Sequence, residues 1–353
     1  MTIGTNARTG PSPLWLHLNG TAAMMVSASE DKRMYDASQD ILNEAMAGVK
    51  AYHDSDVQPF TREMTVVAEY KRSRLITAKE WGGGAPVILI PSLINGWQIF
   101  DIEKDHSFCA YLSSQGLTPY VVDWAQPSDV LITMDDYIAD HLPTLLAQLK
   151  TPPRAMIGYC MGATFLPAFL PHYDHDPAIV MIAPPWNFSY QTPDQMMRIQ
   201  SLAMQTYMMD DVAPDDFVQS LFWAVDPLQV IKKFRKFPNV NNPDRFVRVE
   251  DWLNAGHKVS RSILQTCLFD WYRDNKIIKG EWMVNGCAVM DQSLPEKTLI
   301  MSGAADGLVP PQSVQPLIKN RTHISVDTGH IGLMASDKAV DQVWKPVAEF
   351  IRS

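Results

Sequence analysis

Arg154-Ala155-Met156-Ile157-Gly158-Tyr159-Cys160-Met161-Gly162-Ala163-Thr164-Phe165 is the stretch on which the reading of this chain turns. Residues 154–160 form a short apolar run of the kind that makes a fully buried strand. The run ends on Gly-x-Cys-x-Gly, and a helical pattern follows at once. A residue carried on so sharp a strand-to-helix turn needs small neighbours two positions away. Glycine at 158 and 162 lets strand and helix approach each other. The Met161 backbone N–H is then free for an oxyanion, and the helix N-terminus favours a thiolate. This is the nucleophile elbow G-x-S-x-G with cysteine in the place of serine. A buried cysteine in a tight turn is the plainer alternative.

Outward from the turn the chain alternates apolar runs with helical stretches. Runs at 87–95 (VILIPSLIN), 119–124 (PYVVDW), 178–184 (AIVMIAP), 298–303 (TLIMSG) and 323–328 (HISVDT) read as strands. Residues 63–77 alternate well enough for one or two more. Residues 106–115, 135–149 (with Thr133 as cap) and 337–352 read as helices. Strands separated by helices predict a mostly parallel sheet covered on both faces. The rhythm stops after Pro185 and resumes near 296. A stretch of that length is too long for a plain loop. The expected architecture is therefore an α/β-hydrolase fold: a core of 61–185 and 296–353, a helical cap insertion at 186–295, and an N-terminal arm at 1–60 with a helix at 34–53.

In this fold the acid and the histidine follow the nucleophile, each after its own strand. Asp306 follows TLIMSG in GAADGLVPP, and His330 follows HISVDT in TGHIG. The imidazole takes the thiol proton, and the carboxylate fixes its tautomer. Asp327 is a rival acid, three residues before the histidine and less well placed by topology. The second oxyanion donor is expected from the loop Pro91–Asn95, at the backbone N–H of Ile94, with Leu93 close behind. The plainer alternative is that these residues merely turn the chain.

The chain has 353 residues, 46% of them hydrophobic, enough for a sizeable core. Its formal net charge is −9, with no basic block, which argues against nucleic acid as a partner. No apolar run reaches transmembrane length, and the N-terminus lacks the pattern of a secretory signal. A cytoplasmic location is expected. The cysteines at 109, 160, 267 and 287 match no zinc spacing and are expected as thiols. No metal or organic cofactor is indicated.

A wider set of segments resembles the catalytic domain of polyhydroxyalkanoate synthases. They are VILIPSLINGWQIFDI, SFCAYLSSQG, YVVDWAQPS, GYCMGATF, DNKIIKGEWMVNG, SGAADGLVPPQS and TGHIG, spread over roughly residues 85–350. The resemblance implies catalytic roles for Cys160, His330 and Asp306. It also implies (R)-3-hydroxyacyl-coenzyme A substrates and a polyester product or granule. A homodimer or a partner synthase subunit enters as a further expectation. The chain departs from the family pattern at Ala163, where a second glycine is usual, and at Gly307, where histidine is usual.

The triad itself leaves the acceptor open. The same residues serve a thioesterase, an esterase or a polymer depolymerase, and a weakly active granule- or partner-binding relative is a third reading. Met196, Met197, Met204, Met208 and Met209 in the insertion are candidates for a dry acyl channel, or for the insertion's own core or a subunit contact.

Overall fold

The computed structural model describes residues 8–18, 32–127 and 132–353. The parts of the expected N-terminal arm at 1–7 and 19–31 lie outside the described residues. The chain divides into two compact units, one of 1–60 with 214–256 and one of 61–213 with 257–353. The stretch 186–295 thus contributes to both.

The larger unit is built on one eight-stranded sheet. Its strands are β1 (Thr65–Tyr70), β2 (Ser73–Thr77), β3 (Ala85–Ile90), β4 (Leu117–Asp123), β5 (Ala155–Tyr159), β6 (Ala178–Ile182), β7 (Thr298–Gly303) and β8 (Thr322–Val326). Their order across the sheet is β1-β2-β4-β3-β5-β6-β7-β8. Strands β3 to β8 are parallel, and β1 and β2 join antiparallel at one edge. The central strands are buried on both faces: Val87, Ile88, Leu89, Ile157, Ile179, Val180 and Ile300 are wholly covered. That double burial is why these strands read as continuous apolar runs and do not alternate.

Some boundaries differ from the periodicity. The apolar run from 87 ends as a strand at Ile90, because Pro91 cannot continue the ladder and the chain turns. The expected helix at 106–115 begins with a short strand, His106–Ser107, and becomes α-helical only over Phe108–Ser114, capped by the Ser107 hydroxyl. Residues 136–141 wind as π-helix before the α-turns of Leu142–Leu146. Thr133 takes the capping role: its hydroxyl accepts from the Asp136 N–H at 3.2 Å, and its own N–H donates to the Asp136 carboxylate at 2.7 Å.

The smaller unit is helical. Helix α1 (Lys32–His53) presents Val49 and Tyr52 to Val230, Phe234, Phe237 and Val247 from Gln229–Lys236 and its neighbours. Arg8 pairs with Asp251, and the Tyr52 hydroxyl donates to the same carboxylate at 2.7 Å. His17 is buried here, and burial, helped by the nearby Lys233 charge, lowers its pKa to about 4. Among the described residues, no helix is long and apolar enough to cross a membrane.

Candidate active site

Strand β5 delivers Cys160 to the elbow, and helix α2 (Met161–Phe169) starts at the next residue. Cys160 has φ 54° and ψ −127°, a conformation that a residue with a side chain adopts only when its surroundings enforce it. Here the Cys160 N–H donates to the Ile182 carbonyl at 2.9 Å, continuing the β5–β6 ladder. Its own carbonyl accepts from Ala163 at 2.9 Å, opening the helix. The two glycines are required by space. A Cβ on Gly158 would lie 2.3 Å from the Ala163 Cα, and one on Gly162 would lie 2.2 Å from the Ile90 carbonyl oxygen. Ala163 itself is fully buried at that contact.

The Gly162–Ile90 contact sets the elbow against the loop that follows β3. Trp124 holds that loop by donating its indole N–H to the Pro91 carbonyl at 3.1 Å. The His257 N–H holds it again, donating to the Ile94 carbonyl at 2.7 Å. Met161 is the first residue of its helix, so its N–H has no acceptor within the helix. The Ile94 N–H, favoured above as second donor, is engaged by the Ser92 hydroxyl at 3.1 Å. The Leu93 N–H makes no hydrogen bond among the described residues.

Strands β7 and β8 bring the acid and the histidine together. Their parallel register pairs Gly303 with Val326. The pairing runs on into the loops, where Ala304 donates to Val326 at 2.7 Å and Ala305 to Thr328 at 3.1 Å. Asp306 therefore arrives beside His330. Its Oδ2 lies 2.7 Å from His330 Nδ1, and its Oδ1 accepts from the Leu308 and Val309 N–H groups at 2.9 and 2.8 Å. Asp327 is exposed, one residue beyond the end of β8.

His330 is stacked on Tyr159, with ring centroids 5.2 Å apart. The Tyr159 hydroxyl donates to the His330 carbonyl at 3.3 Å. Burial works against a charged imidazole, but the charges of Asp306 and Cys160 and the hydrogen bonds to both outweigh it. The His330 pKa is therefore held well above its ordinary value. The structure thus sets Asp306 against His330, with the Cys160 elbow beside the imidazole.

Two neighbours have no signal in the sequence. Tyr190 lies half-buried beyond β6, and its hydroxyl donates to the Leu308 carbonyl at 3.0 Å. Tyr272 belongs to a π-helical stretch, Thr266–Arg273, and packs on Phe188 with centroids 4.7 Å apart. Burial pushes the Tyr272 phenol up, and the charges of Tyr190, Cys160, Cys267 and Asp306 add to it. π-Helical turns are common at functional sites. Of the five methionines singled out in the insertion, Met196 and Met209 are half-buried. Helix α3 (Pro193–Gln205) turns Ile199, Leu202 and Ala203 inward, leaving Met197, Met204 and Met208 exposed by 64, 61 and 91%. No cluster that could hold a metal ion occurs among the described residues.

A parallel sheet in this strand order, with a cysteine on a strand-to-helix elbow after β5 and a histidine after the last strand, is the arrangement of the α/β-hydrolase fold. Residues 86–337 match the family model of the alpha/beta hydrolase fold, and the chain belongs to that family. Within it the chain is similar to named polymerases. It is 27% identical over 286 residues to the "Poly(3-hydroxyalkanoate) polymerase subunit PhaC" of Haloferax mediterranei, covering 75% of this chain and 58% of that protein. It is 28% identical over 288 residues to the protein of the same name from Haloarcula marismortui, covering 75% and 60%. The corresponding protein of Synechocystis sp. is 25% identical over 294 residues, covering 75% and 77%. This chain thus spans less than two thirds of the length of the first two. The resemblance carried by the sequence motifs holds against these proteins.

Among solved structures, an esterase from Exiguobacterium antarcticum aligns with TM-score 0.52 and 15% identity, over 83% of this chain and 100% of that one. A monoacylglycerol lipase from Paleococcus ferrophilus aligns with TM-score 0.51 and 15% identity, over 76% and 95%. These two are alike in fold.

Proposed function

We propose that this chain is an acyltransferase that builds polyhydroxyalkanoate from (R)-3-hydroxyacyl-coenzyme A through a thioester on Cys160. The observation that carries the reading is the Asp306–His330 pair, 2.7 Å apart, set at an elbow cysteine in a chain similar to named polymerases. Cys160 gives its proton to His330 and attacks the thioester carbonyl. The oxyanion is received by the Met161 N–H and by the loop after β3, where Leu93 has its N–H unengaged and Ile94 would first have to release Ser92. Coenzyme A leaves as the thiol, taking the proton back from His330. The 3-hydroxyl of a second acyl unit then attacks the Cys160 thioester while His330 accepts its proton; the ester bond forms, the acyl–sulfur bond breaks, and Cys160 leaves as the thiolate, to be reprotonated by His330 or paired with it.

A thiol suits this work because exchange between two thioesters is nearly isoenergetic. The outcome depends on keeping water from the acyl-enzyme, and we assign that role to the insertion after β6. The relatives' designation as polymerase subunits supports a reading in which this chain works beside a second chain. The same site without that exclusion is a thioesterase.

The test compares coenzyme A release from (R)-3-hydroxybutyryl-coenzyme A and butyryl-coenzyme A at equal concentration. A polymerase releases coenzyme A continuously with the first and gives a single burst with the second, which lacks the elongating hydroxyl. Continuous release from both, with free acids as the products, overturns the proposal in favour of hydrolysis.

A further inference from the structure

The insertion begins with a strap that is fastened to the acid turn. The backbone leaves β6 through Ala183, which like Cys160 has a positive φ (48°) and whose N–H donates to the Met301 carbonyl of β7 at 2.8 Å. From Trp186 to Tyr190 the chain then runs beside the residues that follow Asp306. The Trp186 N–H donates to the Ser313 hydroxyl at 3.0 Å, and the Asn187 N–H to the Ser313 carbonyl at 3.0 Å. On its other side the strap is held by Asn275, whose Oδ1 accepts from the Phe188 N–H at 3.0 Å and whose Nδ2 donates to Asn187 Oδ1 at 2.9 Å. Phe188 packs on Trp271 and Tyr272 of the π-helical stretch.

At the end of this strap stands Tyr190. Its hydroxyl donates to the Leu308 carbonyl at 3.0 Å, and the N–H of Leu308 donates to Asp306 Oδ1 at 2.9 Å. The Val309 N–H, in the same peptide unit as that carbonyl, also donates to Asp306 Oδ1, at 2.8 Å, so the hydroxyl and the carboxylate are joined through one peptide group. Hydrogen bonds in such a chain polarise one another in a low-dielectric interior. They also fix the rotation of the turn, and with it the direction in which Oδ2 meets His330.

We propose that Tyr190 is a positioning residue of the site: by holding the Leu308 carbonyl it fixes the turn that orients Asp306, and it ties the geometry of the acid to the first residues of the insertion. The inference rests on Cys160, His330 and Asp306 acting together, as argued above, and it adds the group that keeps the acid in register. Its consequence is directional. Loss of the Tyr190 hydroxyl lets the turn relax, weakens the Asp306–His330 contact and makes the imidazole a poorer home for the thiol proton. Fewer molecules then hold the thiolate–imidazolium pair at mildly acidic pH.

The decisive variant is Tyr190→Phe, which keeps the ring and removes the hydroxyl. The readout is alkylation of Cys160 by iodoacetamide as a function of pH, followed on the Cys160 peptide by mass spectrometry so that the exposed Cys287 does not interfere. It requires no substrate. Wild-type protein is expected to alkylate readily at about pH 6, as thiolates paired with imidazolium do. Tyr190→Phe is expected to react about tenfold more slowly there, corresponding to about one pKa unit, and to converge with wild type at alkaline pH. Thermal melting runs alongside. A lowered melting point with an unchanged pH profile assigns Tyr190 to structure alone and overturns the inference. A variant identical to wild type overturns it as well. If wild-type Cys160 itself shows no enhanced reactivity at about pH 6, the triad reading falls and the positioning role falls with it.

Discussion

Gly162 and Ile90 approach so closely that a side-chain carbon on the glycine would sit 2.2 Å from the isoleucine carbonyl oxygen. Backbone cannot yield as a flexible side chain can. Gly162→Ala must therefore push the elbow away from the loop after β3, or fail to fold. We expect a loss of several kcal/mol, on the order of the larger single-residue effects, read as lost soluble protein or a fall in melting temperature. Gly307 is the contrasting case. No atom lies within 4 Å of a Cβ built there, and its φ is not positive. Gly307→His, which introduces the residue usual in the resembling family, is expected to leave the melting temperature within a few degrees and coenzyme A release intact. A collapse of either would show that the turn after Asp306 is packed more tightly than the structure has it.

Cys160→Ala is expected to abolish coenzyme A release, and Cys160→Ser to leave about a thousandth or less. A serine hydroxyl ionises far less readily than a thiol, so the same base finds a poorer nucleophile. Cys109, Cys267 and Cys287 are expected to tolerate alanine with activity largely kept. Burial pushes the Cys109 and Cys267 thiols up, which makes them poor nucleophiles. Turnover that survives the loss of Cys160 but not of Cys267 would relocate the nucleophile to the π-helical stretch.

If His330 is the base proposed for both acylation and elongation, His330→Gln is expected to slow each step by about 10² to 10⁴. Asp306→Asn keeps the acceptor for the Leu308 and Val309 N–H groups but can turn an amide N–H toward His330 Nδ1, favouring the wrong tautomer. Acylation is expected to suffer less than elongation, so labelled acyl groups accumulate on Cys160. The pH dependence has a definite sign. The raised His330 pKa carries the imidazolium to higher pH than an ordinary histidine would reach. Asp306→Asn removes the charge that raises it, so the alkaline fall in acylation moves to lower pH. Equal losses in both steps for both variants would contradict this division of labour.

In the helical unit, His17 is neutral when folded because its pKa is lowered to about 4, from 6.5. Unfolded chain binds a proton there below about pH 6.5 that the folded chain refuses until about pH 4. Stability from this residue is therefore present above the higher value and lost progressively as pH falls between the two, by at most about 3 kcal/mol. Melting of the helical unit is expected to drop over that range, and His17→Gln to flatten the slope. An unchanged slope in the variant would place the acid sensitivity elsewhere.

These expectations draw on the sequence and the structure in unequal shares. Strands β3, β5, β6 and β7 were legible because burial on both faces leaves nothing but apolar residues in them. The elbow was legible because Gly158 and Gly162 are dictated by contacts under 2.5 Å. The π-helical stretches at Asp136–His141 and Thr266–Arg273 leave no clear period, since their residues satisfy a helical pattern either way. The hairpin Met283–Val284 with Cys287–Ala288 is too short to alternate. Packing of α1 against Gln229–Lys236 joins segments far apart in the chain, which no local pattern records. Tyr190 escaped for a simpler reason: its partner is a carbonyl, and every residue has one.

The order of the triad along the chain has a consequence for synthesis. Cys160 is translated before the whole insertion, whereas Asp306 and His330 follow it, and His330 is set only when β8 pairs with β7. A nascent chain with its elbow already folded carries a thiol without a base. On the proposed mechanism, thiolate formation at Cys160 therefore waits on the pairing of the final strand.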